Sequence, residues 1–127
     1  MKRFILLLFV FYALLYSSGI SWRGDYDKAL AEARDSDKIL LVLLVKNGCK
    51  KCNEVLKKVF TDRPYIKTLN QKVIAVLINK EYKSSYPIEM YYTTVYPTLF
   101  LVNPQNETFI REPVYKNITK DDLKLTK

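Results

Sequence analysis

Apolar residues in this chain are grouped in two ways, and each grouping predicts a different kind of element. Residues 39–45 (Ile-Leu-Leu-Val-Leu-Leu-Val), 73–78 and 97–102 are near-continuous apolar runs. Runs of that length, bounded by polar or turn-forming residues, read as strands buried on both faces. The other grouping is a stripe at helical spacing. Tyr26, Leu30 and Ala33 recur after Gly24-Asp25, which can cap a helix that Ser36-Asp37-Lys38 ends. Cys52, Val55, Leu56 and Val59 form a second stripe, with Lys50, Lys51, Glu54, Lys57 and Lys58 on the wet side. Thr61-Asp62-Arg63-Pro64 opens a third helix containing Ile66 and Leu69. Residues 86–91 predict one or two helical turns, and 103–106 (Asn-Pro-Gln-Asn) a turn. Residues 108–111 alternate as an antiparallel edge strand does. Thr119 to Asp122 can cap a last helix around Leu123, with Asp122 in place of the Glu of a capping box. Trp22 to Asp25 read as the lead-in to the first helix. The order α, β, α, α, β, α, β, β, α predicts an α/β fold: a central mixed β-sheet flanked by helices.

The N-terminus changes the picture of where this domain works. Lys2 and Arg3 precede an uncharged run, residues 4–16, and then Ser17-Ser18-Gly19. That is the layout of a secretory signal peptide, so residues 1–19 are expected to be a signal segment cleaved after Gly19. Residues 20–127 are then the folded domain, a length that supports one modest core. Ser21 is a second choice of cut. The run is short for a bilayer span of roughly 20 residues, but apolar enough for an uncleaved anchor to be the alternative. No cysteine lies near its end, which argues against a bacterial lipoprotein.

The net charge of +8 fits a lysine-rich solvated surface. No arginine cluster or stacking-aromatic pattern points to nucleic acid. The two cysteines form a single C-x-x-C, Cys49-Lys50-Lys51-Cys52, and the chain has no histidine. A tetrahedral zinc site needs more ligands than two thiolates, so within one chain no metal is expected. A disulfide closing so small a loop constrains the unfolded chain little. Thiol–disulfide exchange is the reading with a mechanism; a structural staple, an inert thiol pair, and metal capture by thiolates of two chains are the alternatives. Cys49 falls where a strand meets a helix. Unpaired N–H groups and the helix dipole favour an anion there, and Lys50 and Lys51 add positive charge that lowers the thiol pKa. Cys49 is thus the expected exposed nucleophile and Cys52, one turn on, the resolving thiol.

With these residues placed, the chain resembles the thioredoxin superfamily, in particular its exported thioredoxin-like domains that interchange disulfides. The first helix, Ala29-Leu30-Ala31-Glu32-Ala33, leads through Lys38 into residues 39–45 as in those domains, and Tyr96-Pro97-Thr98 precedes a third apolar strand. The resemblance covers nearly all of residues 20–127. It implies the thioredoxin fold, with Pro97 cis and facing the C-x-x-C, Tyr96 giving backbone contacts to substrate and Thr98 beside them. The residues alone also allow an ordinary trans proline starting a strand. Two departures stand out: Gly48 replaces the tryptophan that thioredoxins carry before the first cysteine, and Leu43 replaces their buried acid. The pair Lys50-Lys51 also differs from the family's familiar dipeptides.

The expected function is therefore a thiol–disulfide oxidoreductase reducing or exchanging disulfides in exported proteins. A thioredoxin-fold module that binds proteins without turnover is the rival. No cofactor is expected. The expected partners are protein thiols or disulfides and, for reduction, a membrane electron donor, with the chain acting as a monomer. The expected location is the bacterial periplasm, with attachment to the inner membrane if the leader stays. Tyr86, Tyr91, Tyr92 and Tyr96 line a substrate groove or, by the burial habits of Tyr, pack in core and rim. Asn106-Glu107-Thr108 and Asn117-Ile118-Thr119 match the glycosylation sequon, which carries no meaning in a bacterial protein.

Overall fold

The computed structural model describes residues 19–61, 63–82 and 85–124. The expected signal segment lies outside them except for Gly19. No helix among the described residues is long and apolar enough to cross a membrane. The elements are β1 (Trp22–Arg23), α1 (Tyr26–Ser36), β2 (Ile39–Val45), α2 (Lys50–Lys58), α3 (Arg63–Lys72), β3 (Val73–Asn79), β4 (Thr98–Asn103), β5 (Thr108–Phe109), β6 (Val114–Tyr115) and a final 3-10 turn (Lys120–Leu123). The sheet runs β1-β3-β2-β4-β5, with β6 also beside β4. Strands β1, β3 and β2 are mutually parallel, and β4 turns back antiparallel to β2. This is the mixed sheet that the apolar runs predict.

Strand β2 sits in the middle because it can bury both faces. Leu41, Leu43 and Val45 join one apolar cluster, with Val55, Ile66 and Leu69 of α2 and α3. Leu40, Val42 and Leu44 join the other, with Ala29, Leu30 and Ala33 of α1. Alternate side chains of a strand point to opposite faces, so a seven-residue apolar run fills both layers. Helix α1 begins where Asp25 caps it, its carboxylate accepting from the Lys28 N–H at 3.1 Å. It ends at Asp37, whose backbone is left-handed at φ 54° and whose N–H closes back on the Ala33 and Arg34 carbonyls.

Three elements differ from the sequence expectation. Trp22 and Arg23 are a strand, not a helix lead-in. Their register (Trp22 with Ala75, Arg23 with Val76) is fixed by a partner some fifty residues on, so no local period announces it. The Trp22 ring packs edge-on against Phe60 at 5.1 Å, and the Arg23 guanidinium forks onto Glu32 at 2.6 and 3.0 Å. Residues 88–91 form a single turn, the lower end of the expectation, closed by the Tyr91 N–H on the Pro87 carbonyl at 3.4 Å. No local pattern marks strand β6; it pairs with the start of β4 while β5 pairs with its end. The last helix is one 3-10 turn, begun by Asp122, whose carboxylate accepts from the Thr119 N–H at 2.7 Å.

Candidate active site

The site grows from the end of β2. After Val45 the chain runs Lys46-Asn47-Gly48 and enters α2 at Cys49. Gly48 has φ +68°, and an added Cβ would meet nothing within 4 Å. The glycine is there for its backbone, not for lack of room, which explains why tryptophan is missing at this position. Cys49 is the N-cap of α2, and its Sγ accepts a hydrogen bond from the Cys52 N–H at 3.0 Å. The first turn of α2 carries no acidic residue. A sulfur at this point faces unpaired amides and the positive end of the helix dipole, which stabilise a thiolate.

Cys49 and Cys52 are joined by a disulfide. Cys52 is 2% exposed and Cys49 is 8% exposed. The expected exposed nucleophile is therefore largely covered in the disulfide form, and only a small difference in exposure separates the two cysteines. Lys50 is exposed, whereas Lys51 is half-buried, 3.8 Å from the Glu54 carboxylate. Both cysteines pack in the same cluster as Leu43, which is fully buried. Leu43, where the resemblance implies an acid, thus faces the cysteine side of the sheet and cannot carry a proton.

The second fixed point lies at the same end of the sheet. Leu44 of β2 pairs with Thr98, the first residue of β4, so Tyr96 and Pro97 stand beside the loop that leads to Cys49. The Tyr96–Pro97 peptide is cis. Pro97 is buried, and its carbonyl accepts from the Lys116 N–H at 2.7 Å. Thr98 is fully buried and donates to the Val95 carbonyl at 2.6 Å, while the Tyr96 hydroxyl donates to the Thr93 carbonyl at 2.9 Å. These bonds make residues 93–98 a tight loop with little freedom.

A cleft of about 500 Å³ opens on the other side of Tyr96. It is bordered by Lys46, Lys80 and all four tyrosines of the cluster, Tyr86, Tyr91, Tyr92 and Tyr96. The cluster divides: Tyr91 is buried at 1% exposure, as core packing expects, while Tyr92 is 72% exposed. Burial pushes the Tyr86 phenol upward, with Tyr96 and Glu81 adding to the shift, so Tyr86 keeps its proton at neutral pH. No motif marks the two lysines in the sequence. Each directly follows or ends a buried strand, Lys46 after β2 and Lys80 after β3, and parallel neighbours end at the same edge. That was the available signal.

Comparison with known proteins agrees with this geometry. The thioredoxin-like family profile matches residues 21–104, and the chain belongs to that family. Among solved structures, a disulphide-isomerase candidate from Bacteroides thetaiotaomicron aligns with TM-score 0.68 at 22% identity, over 84% of this chain and 88% of that one. The DsbH oxidoreductase aligns with TM-score 0.66 at 11% identity, over 81% and 77%. A thioredoxin from Thermus thermophilus aligns with TM-score 0.64 at 16% identity, over 81% and 80%. At these identities the likeness is one of fold. A search of curated proteins found no significant match.

Proposed function

We propose that this chain is an exported thiol–disulfide oxidoreductase. The observation that carries the reading is the Cys49–Cys52 disulfide seated at the start of α2, with Cys49 Sγ accepting from the Cys52 amide. In the reduced protein the Cys49 thiolate attacks one sulfur of a substrate disulfide. A mixed disulfide forms and the other substrate sulfur leaves as a thiolate that takes up a proton. Cys52, deprotonated, then attacks Cys49 Sγ, releasing the second substrate thiol and leaving the Cys49–Cys52 disulfide. Two electrons have passed to the substrate, and a thiol donor must return them; a membrane electron donor is the proposed source. Lys50 and Lys51 favour the thiolate, and Tyr96 offers its backbone to the substrate chain, with buried Pro97 and Thr98 fixing the loop that presents it. Names among the structural neighbours, DsbH oxidoreductase and disulphide-isomerase, support protein thiols and disulfides as partners. Residues 1–19 direct the chain to the bacterial periplasm, where it acts as a monomer. Mass analysis of the mature protein from cells checks this: a chain beginning at Ile20 is expected, and one retaining Met1 to Gly19 would mean an anchor.

The fully buried Leu43 favours one second reading, a module that holds proteins without turnover. The cysteine variants separate the two. Cys49→Ser is expected to abolish reduction of insulin disulfides, and Cys52→Ser to accumulate mixed disulfides with partners. Undiminished turnover in Cys49→Ser would overturn the enzyme reading, and absence of any trapped partner would favour the module. The potential of the pair sets direction: roughly −270 mV means a reductase, the direction favoured here, and roughly −120 mV an oxidant.

A further inference from the structure

The cleft beside Tyr96 has a charge pattern that the exchange chemistry does not use. The Lys46 ammonium lies 5.4 Å from the Tyr96 ring centroid and the Lys80 ammonium 5.3 Å from the same centroid. Two like charges thus converge on one ring. Neither lysine has an ion-pair partner among the described residues. Glu81 is close enough to raise the Tyr86 phenol, and Glu89 lies on the neighbouring turn, but neither pairs with Lys46 or Lys80 there. An aromatic face steadies an ammonium group but does not neutralise it. An anion in the cleft would answer this unpaired positive charge.

The cleft is also tied to the cysteines. The cleft's floor, Leu44 and Tyr91, belongs to the cluster on the other face of the sheet, but its wall Tyr96 packs against both clusters, including the one that holds Cys49 and Cys52. Lys46 is three residues before Cys49, so their Cα atoms are at most about 11 Å apart on an extended chain. A polypeptide lying past Cys49 in extended form covers that span in three or four residues. Exposed Tyr92 and Ile88 offer apolar contact for the flanking residues.

We propose that this cleft selects the substrate: Lys46 and Lys80 take the carboxylate of an Asp or Glu lying within about four residues of the cysteine that Cys49 attacks. The selection rests on the exchange reading of Cys49 and Cys52. It makes the preferred substrates exported polypeptides with an acidic residue flanking the reactive disulfide.

The test uses the full protein and three disulfide-bonded model peptides. One has Glu three residues from the cysteine, one has Gln there, and one carries the Glu eight residues away. The near-Glu peptide is expected to show about three- to tenfold higher kcat/KM than the Gln peptide, expressed in KM, as two partly exposed ion pairs warrant. Lys46→Gln/Lys80→Gln should abolish that preference, so that the near-Glu and Gln peptides react at the same rate as each other. Lys28→Gln/Lys67→Gln removes the same charge at positions that do not line the cleft and should keep the preference. Equal rates for near-Glu and Gln peptides would overturn the proposal. So would a preference that survives in Lys46→Gln/Lys80→Gln, or one shown equally by the distant-Glu peptide, since either would trace it to the overall positive field. No exchange with any peptide would overturn the oxidoreductase reading itself.

Discussion

At the scale of single residues, the site is built from positions whose side chains are explained by backbone or burial. Gly48 is the clearest case. Its φ of +68° lies in the left-handed region, and the space where a Cβ would sit is open. Gly48→Ala therefore tests conformation alone. It is expected to lower stability by about 1 kcal/mol, read as a shift of the urea midpoint with unchanged slope. A neutral result would mean that the loop relaxes to another conformation. The sequence showed that tryptophan was absent here but not why, because φ is decided by the direction in which β2 must hand the chain to α2. Leu43 teaches the converse. Its identity was readable, but its meaning depended on which face of β2 it occupies, and only the alternation with Leu40, Val42 and Leu44 puts it with the cysteines. Lys46 and Lys80 were invisible for a similar reason: they lie thirty-four positions apart and meet only because β2 and β3 are parallel neighbours in register.

At the scale of elements, legibility followed the range of the interactions that fix each one. The apolar runs and the stripes of α1 and α2 were plain because hydrophobic period is local to the segment. So was the cap of α1, whose Asp25 side chain reaches only to Lys28. Asp25→Ala removes that acceptor and leaves an amide at the helix start unpaired. A loss of about 1 kcal/mol is expected, measured as a lower melting midpoint, with Asp25→Asn retaining most of the stability. Equal losses in both variants would mean that the charge, not the cap, matters. Strands β1, β5 and β6 have two residues each, and pairing alone defines them. Strand β5 was legible because a turn at 103–106 folds it back on β4. Strand β1 was not, since its partner β3 lies across α1, β2, α2 and α3.

At the scale of the whole molecule, the face of the sheet away from the cysteines is fastened by a buried phenol pair. The Tyr26 and Tyr91 hydroxyls are 2.7 Å apart, and the Tyr26 hydroxyl also donates to Glu107 at 3.2 Å. The contact joins α1, the turn at 88–91 and the loop after β4, three segments far apart in sequence. Tyr91 also packs edge-on against Phe100 of β4 at 4.9 Å. Burial pushes the Tyr26 phenol up to about 12, with the Glu107 carboxylate adding to the rise and the bond to Tyr91 opposing it. Burial and the bond to Tyr26 push Tyr91 upward as well. Both groups have folded pKa values above their unfolded ones. Their contribution is therefore complete below the ordinary phenol value near 10 and is lost as pH rises toward and through about 12. Tyr91→Phe should cost about 1–2 kcal/mol at neutral pH through the lost hydrogen bond. The deficit should shrink above pH 10, because the wild type then loses what the variant never had. Denaturant midpoints of both proteins from pH 7 to 12 check this, with tyrosinate absorbance showing that some of the ten tyrosines ionise only as the fold opens. Parallel curves across the whole range would mean that the pair acts by packing alone. The same turn, 88–91, presents Tyr91 inward to this pair and borders the cleft beside Tyr96. Loosening the phenol pair in Tyr91→Phe is thus expected to weaken selection of acidic peptides while leaving reduction of neutral ones intact.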